Sequence, residues 1–201
     1  MHSRLFSATA VAALTGTLTS AQSSTSPGYN CMPTCIRSTV PANETLSFGR
    51  HYAVLNLDYI NAIASPVINT TAGNAFLSNT AAWIDAVHAQ TPPPLSIYTR
   101  IYFSASTQPE IGPGAPFAAV GGALGTSSDP RTELVDVVQS RVDESLNDVE
   151  LQKTRYYAGA GNSLEEILRT QGIDTVVLSG IRTSGVIIDT AYRLFDLDYN
   201  V

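Results

Sequence analysis

Beyond residue 50 the apolar positions gather into short runs, with helically spaced stretches between them. Residues 51–58 (HYAVLNLD) and 95–103 (LSIYTRIYF) read as strands, residues 142–152 as a third that ends at Lys153, and residues 174–178, with a Val-Val-Leu centre, as a fourth. Apolar runs bounded by turn residues suit strands buried on both faces of a parallel sheet. Residues 74–90 place Phe76, Trp83, Ile84 and Val87 at helical intervals and stop before Pro92-Pro93-Pro94. Ser163-Leu164-Glu165-Glu166 has the form of a capping box, opening a helix over 164–171 that Gly172 ends. After Ser179-Gly180, Thr183 or Ser184 is placed to cap a last helix with Ile187, Ala191, Leu194 and Phe195 on one face. The order strand, helix, strand, loop, strand, helix, strand, helix predicts an α/β fold with a doubly wound, mostly parallel sheet.

The first 21 residues do not fit that pattern. Arg4 precedes the apolar run from Leu5 to Leu18, and Thr19-Ser20-Ala21 follows as a small-residue cleavage site, which predicts a secretory signal peptide over 1–21. Residues 22–46 are rich in Ser, Thr and Pro and read as a leader, leaving 47–201 as one domain. In a secreted chain Cys31 and Cys35, the only cysteines, are expected to close a small disulfide loop. Asn43-Glu44-Thr45 and Asn69-Thr70-Thr71 fit the N-glycosylation acceptor pattern. No later run reaches the roughly 18 apolar residues of a membrane span, so no membrane association is expected. A net charge of −6 with scattered positive residues argues against a nucleic-acid partner. Neither a Walker-type phosphate loop nor a GxGxxG fingerprint occurs, so no cofactor is expected.

Open parallel sheets place their ligands at the carboxyl ends of the strands. Asp58 ends the first strand there, either as an ordinary strand-end cap, the commoner fate, or as a catalytic acid. Lys153 ends the third strand, as a solvated lysine or as part of a site. Residues 104–125, rich in Gly, Pro and Ala, form either a substrate lid or a surface excursion.

Three pieces of the chain resemble the isochorismatase-like hydrolases, a family that also contains nicotinamidases and related cysteine hydrolases. They are the strand ending in Asp58, the segment KTRYYAGAGNSLEEILRTQGIDTVVLSG from Lys153, and the turn from Gly180 through Ile187 with Thr190-Ala191 behind it. The resemblance covers residues 51–201 and implies the Rossmann-like three-layer fold of that family. In the family's cysteine hydrolases an Asp, a Lys and a Cys form the catalytic set, and by motif position these fall on Asp58, Lys153 and Val186. Valine has no nucleophilic atom, so the thioester route to amide hydrolysis is closed at this position. The metal-binding Asp-x-His pattern of nicotinamidases is also absent, and no metal is expected.

True isochorismatases of the family work without the cysteine. The resemblance implies that their Asp protonates the carbon of an enol ether so that water adds to the oxocarbenium ion, with Lys153 here holding Asp58 or the substrate's charge in place. It further implies a cis peptide before Arg182 and a nest of backbone N–H groups in the turn, so Arg182, Thr183 and Gly185 are expected to bind substrate. Arg182 departs from the small residue usual there and either binds a carboxylate or blocks the pocket. Tyr157, with Tyr156, lines the ring site in one reading and belongs to the core in the other. Relatives continue past the last helix, so the sheet is expected to be shortened at its C-terminus, with an exposed edge that favours a homo-oligomer. The expected protein is a secreted hydrolase acting on a small molecule by acid catalysis. A non-catalytic small-molecule-binding protein of the same fold is the competing reading.

Overall fold

The computed structural model describes residues 48–49 and 51–201. The expected signal peptide, the leader, Cys31, Cys35 and the Asn43 acceptor lie outside the described residues. Among the described residues four strands form one sheet: β1 (Tyr52–Leu57), β2 (Leu95–Ile101), β3 (Asp148–Lys153) and β4 (Thr175–Gly180). Their spatial order is β3-β2-β1-β4 and every pairing is parallel. β1 therefore lies inside the sheet, and its residues after Tyr52 are all buried. This is the doubly wound α/β architecture that the alternation of elements predicts.

Among the described residues six α-helices flank the sheet: α1 (Asn61–Ile68), α2 (Thr71–His88), α3 (Ala118–Gly121), α4 (Asp136–Gln139), α5 (Leu164–Thr170) and α6 (Ile188–Phe195). Successive strand side chains point to opposite faces, so the sheet feeds two cores. On one face Val54 and Tyr98 pack with Ala64 of α1, Trp83, Ile84 and Val87 of α2, and Val138 of α4. On the other, Ala53, Leu55, Leu57, Ile97 and Val176 pack with Leu164 and Leu168 of α5 and Leu194 of α6. Each fully buried Val, Leu or Ile side chain contributes about 1.5–3 kcal/mol of transfer free energy. The two layers thus clamp the sheet and fix where its carboxyl edge stands. Among the described residues no helix is long and apolar enough to cross a membrane.

Local chemistry moves several boundaries. The Thr70 hydroxyl accepts from Gly73 N–H at 2.9 Å, so α2 begins three residues before the apolar spacing becomes visible. Asn69, exposed, sits in the turn between α1 and α2. The predicted third strand is shorter than 142–152, because the Asp143 carboxylate accepts from both the amide and the hydroxyl of Ser145 and folds Glu144–Leu146 into a 3₁₀ turn. Ser163 makes no side-chain cap. Asn162 Oδ1 takes the N–H of Leu164 instead, at 2.9 Å. The last helix is reached through a π turn, Thr183–Ile187, with no capping side chain.

β4 ends at Gly180, which pairs with Leu57 of β1. A Cβ at Gly180 would stand 2.3 Å from the Leu57 carbonyl oxygen, the same oxygen that accepts from Ile181 N–H at 3.0 Å. Gly180→Ala must push the two strand ends apart, and overpacking of this kind costs about 1–3 kcal/mol. The expected result is a urea midpoint lowered with an unchanged slope. An unshifted midpoint would show that the strand ends separate freely.

Candidate active site

The carboxyl edge brings β1, β2 and β3 together around Asp58. Asp58 follows β1 directly and adopts a left-handed backbone, φ 58°, a conformation Asp tolerates better than most side chains. Its N–H is held by Thr99, whose carbonyl lies at 3.3 Å and whose hydroxyl oxygen lies at 3.2 Å. That backbone turn aims the carboxyl across the end of the sheet. Oδ1 accepts from the Thr99 hydroxyl at 2.8 Å, and Oδ2 meets Lys153 Nζ at 2.6 Å. β2 lies between β1 and β3, so Lys153 makes this contact by reaching over the end of β2. A second Lys153 proton goes to the Tyr156 carbonyl at 2.9 Å.

Both charged groups are out of water: Asp58 is 4% exposed and Lys153 is 0%. Burial holds the Asp58 carboxyl above the usual carboxylate range, against the opposing pull of Lys153 and Thr99. The same burial holds the Lys153 ammonium below the usual lysine range, against Asp58 and the more distant Asp189 of α6. Burial thus opposes the charged form of each group, and their 2.6 Å contact offsets that penalty. A raised carboxyl beside a cation is what a general acid requires.

The turn after β4 stands beside this pair. Ile181 N–H bonds to the Leu57 carbonyl, one residue before Asp58, and the Ile181–Arg182 peptide is cis, at the bond the family resemblance implies. Arg182, Thr183 and Ser184 are exposed. The Arg182 guanidinium has no partner among the described residues. Gly185 abuts the Tyr156 ring, since a Cβ there would lie 3.2 Å from Tyr156 Cδ1. Val186 is turned inward, 1% exposed, in the core shared with α5 and α6.

Of the two tyrosines it is Tyr156 that borders the turn. Tyr157 gives its hydroxyl to Glu165 Oε1 at 2.8 Å, and Arg193 binds the same carboxylate, so this side chain ties the Lys153 segment to α5 and α6. The middle loop reaches the site through aromatic contacts. Phe117 meets Tyr156 edge-on at 5.7 Å, and the Arg155 guanidinium lies 4.8 Å over the Phe117 ring. Arg155 also donates to the Glu110 carbonyl at 2.6 Å. These contacts dock residues 104–125 beside the Lys153 segment. Thr99 is the residue that sequence reasoning missed. Among the described residues no three carboxylate, imidazole or thiol groups converge where a metal ion could be held.

The arrangement matches known folds. A cysteine hydrolase from Pseudomonas syringae pv. phaseolicola 1448A superimposes with a TM-score of 0.57 at 19% identity, covering 74% of this chain and 68% of that one. N-carbamoylsarcosine amidase from Thermoplasma acidophilum gives 0.58 at 22% identity, covering 75% and 79%. A nicotinamidase from Bacillus subtilis gives 0.56 at 17%, covering 75% and 81%. At these identities the likeness shows the fold. No curated protein matches the chain. The isochorismatase domain model matches residues 52–201, from the first residue of β1 onward and through Asp58, Lys153 and the Arg182–Val186 turn, and the chain belongs to the isochorismatase-like hydrolase family.

Proposed function

We propose that this chain is a secreted hydrolase that cleaves a small enol ether such as isochorismate by acid catalysis at Asp58, without a cysteine nucleophile. One observation carries the reading: a buried carboxyl, held above its usual titration range, is bonded to a buried lysine at the sheet's carboxyl edge. In this reaction Asp58 gives its proton to the methylene carbon of the enol ether, leaving an oxocarbenium ion. Water adds to that cation, and the hemiketal collapses to pyruvate and the ring alcohol. Asp58 recovers a proton from the added water. Lys153 balances the carboxylate that exists between the two transfers, and the exposed Arg182, whose guanidinium has no partner among the described residues, takes a substrate carboxylate.

Val186 supports this choice over the amide hydrolysis named for two of the structural neighbours. It stands at the motif position of the nucleophile and is turned into the core, whereas vinyl ether hydrolysis asks nothing of that position. Secretion is supported by Arg4, the apolar run from Leu5 to Leu18 and Thr19-Ser20-Ala21. The test is pyruvate release from isochorismate by the folded chain, with ammonia release from nicotinamide as the control. Pyruvate without ammonia is the expected result. Ammonia without pyruvate would overturn the reading in favour of amide hydrolysis, and neither product would overturn it in favour of another substrate or of a binding protein of this fold.

A further inference from the structure

Thr99 lies outside the pieces of sequence that carry the family resemblance, yet it meets Asp58 more often than any other residue does. The β2 register sets it opposite Leu57, and its side chain is completely buried. Its hydroxyl oxygen lies 3.2 Å from Asp58 N and 2.8 Å from Asp58 Oδ1. A peptide N–H only donates, so it occupies a lone pair of the hydroxyl, whose single proton then goes to Oδ1. Oδ1 is an acceptor in this geometry. The other oxygen, Oδ2, faces Lys153 Nζ.

We propose that Thr99 is a positioning residue for Asp58: its hydroxyl keeps Oδ1 as an acceptor and so leaves the transferable proton on Oδ2, the oxygen on the Lys153 side. The catalytic consequence rests on the acid reading of Asp58, while the placement of the proton does not. A buried β-branched residue in a strand usually only packs, and valine would pack equally well. What valine lacks is the bond to Oδ1. That bond favours the charged carboxylate and opposes the effect of burial. The charged group facing Asp58 is Lys153 from β3, and Asp189 of α6 acts on Lys153. Neither is altered by a change at Thr99.

The experiment is a ¹³C titration of the Asp58 carboxyl, assigned by its loss in Asp58→Asn, in the full chain and in Thr99→Val and Thr99→Ser. In Thr99→Val the midpoint should move to higher pH, and in Thr99→Ser, which keeps the hydroxyl, it should return toward that of the parent. With isochorismate as substrate, kcat of Thr99→Val should fall about tenfold with KM little changed, because the lost bond acts on the acid and not on the substrate. An unmoved midpoint in folded Thr99→Val overturns the proposal, as does a shift in Thr99→Ser as large as that in Thr99→Val, which would mark a packing effect. If Thr99→Val gives no cooperative melt, Thr99→Ala takes its place in the same comparison. A moved midpoint in a chain that releases no pyruvate would uphold the role of Thr99 and remove the hydrolase reading alone.

Discussion

Asp58→Asn should lower pyruvate release by about 10²- to 10⁴-fold, the range a positioned general acid supplies, while the chain still melts cooperatively. Asparagine keeps the shape of the side chain and still accepts from Thr99, but its amide has no proton to give to carbon. Rates in the parent should carry a pH signature that the variant lacks. The acid works only when protonated, so turnover falls as pH rises through the Asp58 titration, and burial places that fall above the usual carboxylate range. Stability follows the same sign. A carboxyl whose folded titration is raised contributes stability that is complete below the ordinary carboxylate range and is lost as pH rises through the folded value. Asp58→Asn should therefore flatten both profiles together. A variant that keeps the activity and its basic limb would show that another group is the acid.

Asp58 and Lys153 are legible in the sequence for a simple reason: Asp58 directly follows the apolar β1 and Lys153 closes β3, and a polar residue at such a place stands at the carboxyl edge. Their contact is not. β3 and β1 are separated by β2, and only the strand order brings the end of one within reach of the other. Thr99 is hidden more thoroughly. In LSIYTRIYF it is one β-branched residue among strand formers, and nothing in that run distinguishes a packing threonine from one bonded to a carboxyl. The register that sets it opposite Leu57 supplies the distinction.

Elsewhere the differences are local. Helix α1 escapes periodicity because it has eight residues, a proline inside and one buried side chain, Ala64. The stretch before Asp148 has strand-like composition, but a carboxylate two residues from a serine amide competes with strand pairing. Tyr156 and Tyr157 are adjacent and alike, and the neighbours that separate them, Gly185 for one and Glu165 for the other, come from distant parts of the chain.

Lys153→Met should destabilise the fold by about 3–5 kcal/mol near neutral pH, the cost of removing one partner from a buried ion pair and leaving the other uncompensated. Methionine matches the stem of lysine, so lost packing adds little. What remains is the Asp58 carboxyl, 4% exposed, with Thr99 as its side-chain partner. Without the ammonium, burial acts unopposed by the nearest positive charge, and the folded titration of Asp58 rises further. The loss should therefore be largest where the unfolded chain holds Asp58 as a carboxylate and should shrink as pH falls and the folded carboxyl becomes neutral. Combining the change with Asp58→Asn removes the stranded charge, so the double variant should be more stable at neutral pH than Lys153→Met alone. Urea denaturation of the four chains at neutral and acid pH measures this coupling directly. If the two single costs add, and the cost of Lys153→Met is the same at both pH values, then the 2.6 Å contact is not an energetically coupled pair, and Lys153 cannot be the group that sustains Asp58 after its proton has left.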